Sequence, residues 1–325
     1  MIGALLAFAS AAFFGLNGAT IRRGVLHATA LQGMAITVPL GVPLFATIAV
    51  FMGGFGALAA WDLTTWYWMT AAGIVHFVIG RYGNYRAIQA LGSTLSAPIQ
   101  QLSLLVALSL AFIFLGETVT GMNVIGIILI MFGPMVILRR RKQPAKPSQN
   151  TDFQPDYPSG LLWGAVGAVG YGTSPLFITF GLGQNASMAD GAAGVLVSYT
   201  AATIVVIAVV MVVGGPSYLA GVDKRSRFWF LITAILVGIS QLCRYLALTI
   251  APVSVVMPIQ RLSVIFRLLF GVLLNRDHEV IDGWIIATIF VAVVGALALT
   301  VESRLLVEYL PLPAGIGKFL AAPLF

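Results

Sequence analysis

Apolar runs of about twenty residues follow one another along this chain with only short polar breaks between them. Each run is long enough to cross a hydrocarbon layer, and a chain crossing lipid must satisfy its backbone internally, so the sequence predicts a bundle of membrane-spanning helices. Spans are expected near Gly3 to Ile21, Leu31 to Met52, Trp66 to Leu91, Leu95 to Leu115 and Met122 to Leu138. A second set is expected near Gly160 to Leu182, Ala192 to Val213, Phe228 to Ile250, Val253 to Leu274 and Ile281 to Val301. Residues 1–138 and 159–301 thus form two five-helix units, joined by a Pro-, Gln- and charge-rich linker over 139–158, which cannot bury a core. The tail, 302–325, is broken by Pro and Gly and carries no functional reading.

The residues are 59% hydrophobic and 9% charged, outside the range of a soluble domain. A net charge of +7 would point to nucleic acid in a soluble protein. Here the basic residues gather in alternate connections, which reports membrane orientation instead. Arg22 and Arg23 follow span one, and Arg139, Arg140, Arg141, Lys142 and Lys146 follow span five. Lys224, Arg225 and Arg227 follow span seven, and Arg276 follows span nine. By the positive-inside rule these connections face the cytoplasm, which puts both termini outside it. Met1 to Thr20 lacks the basic head of a secretory signal and reads directly as a span. Cys243 is the single cysteine, so one chain builds neither a disulfide nor a thiolate metal cluster; no cofactor is expected.

An internal repeat is written in the polar positions. Pro98-Ile99-Gln100-Gln101-Leu102-Ser103 and Pro258-Ile259-Gln260-Arg261-Leu262-Ser263 agree at five of six residues, at a shift of 160. Tyr85-Arg86-Ala87 faces Tyr245-Leu246-Ala247 at the same shift, and Phe14-Gly15 faces Tyr171-Gly172 at a shift of 157. Three matches in chain order mark a duplication. Five spans per unit is odd, so the units sit upside down relative to each other: an all-α membrane protein with ten transmembrane helices in two inverted five-helix repeats.

In these residues the chain resembles the ten-helix EamA-type branch of the drug/metabolite transporter (DMT) superfamily. The resemblance is carried by Phe14-Gly15-Leu16-Asn17, Pro98, Leu115-Gly116-Glu117, Gly126 and Gly133, and in the second half by Tyr171-Gly172, Pro258, Glu279 and Gly295. Asp277-His278 stands where a Leu-Gly pair is usual. It implies a multi-pass protein of the inner (plasma) membrane that moves small molecules. Members export amino acids and other metabolites, and some are importers or exchangers. Many keep their termini in the cytoplasm, which the charge count here does not follow.

Span three carries His76, Arg81, Tyr82, Tyr85, Arg86 and Gln89, and span eight carries Gln241, Arg244 and Tyr245. Tyr82, Tyr85 and Gln89 share one helical face, as do Gln241, Arg244 and Tyr245, and both faces are expected to look into a cavity. A charge facing lipid at mid-depth costs at least about 2.5 kcal/mol, so Arg244 needs water, a counter-charge or an anion. The duplicated Pro-Ile-Gln segments add Gln100, Gln101, Gln260 and Arg261, since a proline in a span frees a carbonyl for such neighbours. Gln260, Ser263 and Arg267 share a face, and Asn17, Tyr171 and Ser174 flank close-approach glycines. Other roles fit some of these residues equally. Arg86 and Arg267 sit where a long side chain can snorkel to an interface. Asn17, Ser103 and Ser263 can be interhelical hydrogen bonds, and His76 fits either a proton carrier or a hydrogen-bonded imidazole. Trp61, Trp66, Trp68 and Trp284 read as interfacial anchors, and Glu117 and Glu279, at helix junctions, as capping or loop residues.

No mid-span carboxylate stands out, which disfavours exchange of lipophilic cations for protons. Arginines beside Tyr and Gln suit a carboxylate, phosphate or zwitterion. The sequence therefore points to a secondary transporter of small polar metabolites, amino acids leading and an exporter by direction, with uptake or exchange of organic or phosphorylated anions as the alternative. No HExxH or GxSxG pattern supports a membrane enzyme, and inverted halves favour a gated site over an open channel.

Overall fold

The structure, a computed structural model, describes residues 2–115, 120–141, 153–183, 186–250, 259–260, 262–279, 282–300, 320 and 322. Its regular elements are all helices. In chain order they are α1 (Ile2–Gly24), α2 (Ala30–Thr37), α3 (Gly41–Met52), α4 (Gly54–Ala60) and α5 (Leu63–Gly73). A π-helical turn, Ile74–Gly80, leads into α6 (Arg81–Gln100), followed by α7 (Leu102–Leu115) and α8 (Gly121–Arg141). The rest are α9 (Tyr157–Leu182), α10 (Met188–Val213), α11 (Gly215–Ala220), α12 (Lys224–Ile250), α13 (Ser263–Asn275) and α14 (Gly283–Thr300).

Among the described residues, six stretches are long and apolar enough to cross a membrane. One of them, Leu63–Phe114, counts 52 residues. At a rise of 1.5 Å per residue it would reach roughly 78 Å, far more than one crossing of roughly 30 Å. It does not run straight: Gly92 adopts φ 83° and ψ 169°, an extended left-sided conformation that breaks α6. The chain thereby divides where the sequence predicts the gap between spans three and four. The predicted span Leu31 to Met52 is likewise realised in two pieces, α2 and α3, around a turn at Val38–Leu40 containing Pro39. Gly41, which opens α3, has Tyr199 where a Cβ would stand.

The outside of the bundle is apolar. Phe51, Ile113, Val212 and Phe290 are 85, 65, 88 and 65% exposed, a surface that lipid satisfies and water does not. The core is built by close helix approach. Ser10 and Ser240 each donate to the other's carbonyl at 2.8 Å, fastening α1 to α12. A Cβ on Gly15 would lie 2.8 Å from the backbone nitrogen of Arg267, and one on Gly172 would lie 2.5 Å from the carbonyl oxygen of Ser103. Glycine at both positions therefore lets α1 rest on α13 and α9 rest on α7. Helix α9 also packs along α5 and α6, α10 along α3, and α8 along α14.

Two expectations about charge need correction. Arg22 is not a solvated loop residue: it lies in the last turn of α1, only 2% exposed, and donates to the carbonyls of Ile88, Gln89 and His278. Its neighbour Arg23 donates to the carbonyl of Leu274. Arg267 does not snorkel: it is 3% exposed, held inside the bundle between α1 and α6. Burial is tolerable for both because their N–H groups meet carbonyl oxygens and amides rather than lipid.

Candidate functional site

A cavity of about 520 Å³ lies among α1, α5 to α7, α9, α10, α12 and α13. Its polar wall comes from side chains that local backbone features aim inward. The π turn Ile74–Gly80 widens the third long helix, so the face behind it carries Phe77, Arg81, Asn84 and Tyr85 into the cavity. Tyr85 is 2% exposed, its ring stacked parallel to Phe230 and its hydroxyl 3.1 Å from that of Thr37. His76, on the π turn, places Nδ1 2.7 Å from the Ser174 hydroxyl of α9 and its ring against Tyr171.

Arg81 donates through Nη2 to the Tyr199 hydroxyl at 2.8 Å, with its guanidinium 5.0 Å from the Phe77 ring centre and 5.3 Å from that of Tyr199. These aromatic faces take part of the charge in a region where solvent does not. Its Nη1 is buried and has no hydrogen-bond partner. Across the cavity Arg267 donates through Nη1 to Gln100 Oε1 at 2.9 Å, and Gln100 in turn donates to Asn84. Gly18 makes this possible, because a Cβ there would stand 2.5 Å from Arg267 Nε. Arg244 joins the lining from α12, beside Gln241. Gln260 donates to the Ser10 hydroxyl at 3.2 Å, and Ser263 lines the same wall.

The structure brings together most of the residues expected from the sequence: Asn17, His76, Tyr85, Gln100, Gln101 and Tyr171 line the cavity. So do Ser174, Gln241, Arg244, Gln260 and Ser263. Arg261 lies outside the described residues, as does the side chain of Tyr245. Tyr82 does not line the cavity: its ring meets Trp163 edge-on at 5.1 Å between centres. The physical reason is the helical register, since Arg81 and Tyr85 occupy the inward stripe and Tyr82 falls beside it, toward α9. Gln89 shares that displacement and donates to the carbonyls of Val25 and Ala28. Arg86 rests over the Trp163 ring at 5.5 Å.

The lining also holds groups that sequence reasoning passed over as site residues, namely Arg81, Asn84, Tyr199 and Arg267. Arg81 carried a usable signal: it stands deep in an apolar span, where a charge needs a partner as much as Arg244 does. Tyr199 gave none, being one aromatic in a run of Ala, Thr and Val. Among the described residues, the cavity lining contains no Asp or Glu.

Residues 1–139 match the family model described as the EamA-like transporter family, which belongs to the DMT superfamily. No curated protein matches the chain. A solved structure described only as a crystal structure of a protein aligns with 96% of this chain and 99% of its own, at a TM-score of 0.59 and 16% identity. That likeness concerns the fold alone. Over residues 1–139 the chain is therefore similar to the EamA-like transporter family of the DMT superfamily, whose members are membrane transporters.

Proposed function

We propose that the protein is a secondary active transporter of small organic anions bearing at least one carboxylate or phosphate. The observation that carries this reading is the charge of the cavity: among the described residues, Arg81, Arg244 and Arg267 line it and no carboxylate does. Guanidinium groups in such a place offer charge-assisted, planar donors that match a carboxylate or phosphate. Transport would proceed by alternating access in a ten-span protein made of two inverted five-helix repeats, 1–138 and 159–301.

The exchange of contacts between the halves supports that architecture. Gly15 opens onto Phe266 and Arg267, while its repeat mate Gly172 opens onto Ser103 and Val106. Phe266 and Val106 are themselves mates at the shift of 160. Ser10 and Ser240 join α1 to α12, and the matching pair, Gly167 and Gly80, meet where α9 crosses the start of α6. A pseudo-twofold relation generates such paired contacts.

Amino acids form a second reading, favoured by one group: Asn17 Oδ1 is buried, lines the cavity and has no hydrogen-bond partner, so it would accept from an ammonium. The family resemblance makes export the expected direction, across the plasma membrane. The test is counterflow in proteoliposomes loaded with organic acids, sugar phosphates or amino acids. Exchange stimulated by an anion and lost in Arg244→Gln supports the proposal; unchanged anion exchange in that variant overturns it.

A further inference from the structure

Of the three arginines that line the cavity, Arg81 and Arg267 form two separately held poles, and Arg244 is the third cation. One pole is Arg81, fixed by the Tyr199 hydroxyl at 2.8 Å and by the rings of Phe77 and Tyr199. It is tied to α10. The other is Arg267, fixed by Gln100 at 2.9 Å and seated against α1 where Gly18 leaves room. Both arginines are more than nine-tenths buried, with exposures of 6 and 3%. Among the described residues of the cavity lining, neither has a carboxylate against it. Tyr171 lines the same cavity, its ring against that of His76.

The hydrogen-bond partners of these two arginines in the cavity are neutral, and the charge of Glu279 reaches Arg267 only through space. Tyr199 and Gln100 supply oxygen acceptors, and Asn84 orients the Gln100 amide through the bond it accepts. Arg81 Nη1 remains buried and unpartnered, a donor whose desolvation is uncompensated until an acceptor arrives. A monoanion brings one negative charge and cannot balance both guanidinium groups. A molecule with an anionic group at each end can.

We propose that the site selects dianions, one anionic group seating on Arg81 and the second on the Arg267–Gln100 pair. This rests on the anion-transport reading above and narrows its substrate class to dicarboxylates and phosphorylated carboxylates.

The test is binding to the purified full-length protein, followed by thermal shift and calorimetry. The probes are dicarboxylates of three to six carbons and phosphoglycerate, each dicarboxylate paired with its own monoamide. The expected result is that at least one dianion binds about tenfold or more tighter than its monoamide, since each pole contributes a charge-assisted contact. Arg81→Gln and Arg267→Gln should each bring that dianion down to the affinity of the monoamide. Arg81→Lys and Arg267→Lys, which keep the charge, should restore part of the preference if the Gln variants fold poorly. Binding of anions with no preference for two charges overturns this inference and leaves the general anion reading standing. Binding of none of the probes overturns both.

Discussion

Arg22 and Glu279 cap opposite sides of one helix break, the turn at Gly92 that divides α6. Upstream of the break, Arg22 Nη1 donates to the carbonyls of Ile88 and Gln89 at 3.3 and 3.0 Å. Asp156 donates its backbone N–H to the next carbonyl, that of Ala90, at 2.9 Å. Downstream, Glu279 accepts from the Ser93 backbone at 2.6 Å and the Thr94 backbone at 3.0 Å, and from the Ser93 hydroxyl at 2.6 Å. A cation at the end of one helix and an anion at the start of the next match both dipoles. Glu279→Ala should therefore leave three buried donors unpaired and lower stability by about 3 kcal/mol, read as a fall in thermal midpoint of the detergent-solubilised protein. An unchanged midpoint would show that the break is held by something else.

The same carboxyl makes stability depend on pH. Burial pushes Glu279 above the ordinary carboxylate value of 4.5, against the pull of the Ser93 and Thr94 hydrogen bonds and of Arg22. For a carboxyl raised on folding, the folded state holds its proton more tightly than the unfolded chain does. Its contribution is thus complete below the unfolded value and is lost as pH rises through the folded one. The wild-type thermal midpoint should decline on that upward passage from about pH 4.5, and Glu279→Gln should flatten the decline. An equal slope in both proteins would assign the pH dependence to another group.

Close helix approach gives a third expectation. Gly15→Ala drives a methyl to 2.8 Å from the Arg267 backbone, and Gly172→Ala drives one to 2.5 Å from the Ser103 carbonyl. Backbone cannot swing aside as a side-chain end can, so each variant should lose about 1–3 kcal/mol and displace a cavity wall. Gly56→Ala, where nothing lies within 4 Å, is the control and should leave both stability and transport unchanged. Transport should fall further in Gly15→Ala than in Gly172→Ala, because α13 carries Arg267.

Hydropathy made much of this helical layout legible. Tyr157–Leu182 ends at Leu182, where its apolar run ends, and α10 and α12 start only four residues ahead of their expected starts, Ala192 and Phe228. Apart from Met188, those extra turns are polar or small, Met188 to Gly191 and Lys224 to Arg227, and their start is set by Ser187 and Asp223 accepting from the first backbone N–H groups, not by hydrophobicity. Glu279 was readable as a cap, but its target, 186 positions away, was not. The π turn at Ile74–Gly80 left no mark in composition, so a regular helix put Tyr82 in the wall and undervalued Arg81. Arg267 was misjudged for a related reason: position near a helix end suggests snorkelling, while Gly18 on a distant helix is what gives the guanidinium its place inside.

Orientation and the open side of the cavity can be tested together. The lining residues of α9 run from Tyr171 to Leu182 and those of α10 from Gly191 to Tyr199, so the cavity extends toward the end where α9 gives way to α10. That end also carries Trp61, which donates to Asp190 at 3.0 Å, and Trp66 against it. The opposite end is sealed by fully buried Ile88 and Leu91 beside the Arg22 and Glu279 caps, and it adjoins the basic connections. The positive-inside rule places the sealed end in the cytoplasm, so this arrangement should open outward. After Cys243→Ser, a single cysteine at Thr179 should react with a membrane-impermeant maleimide in intact cells and be protected by a bound dianion. One at Leu91 should stay unreacted, and one at Ala145, in the linker, should react only once the cells are permeabilised. Labelling of Ala145→Cys in intact cells would invert the topology, and with it the side from which Arg81 and Arg267 receive their anion.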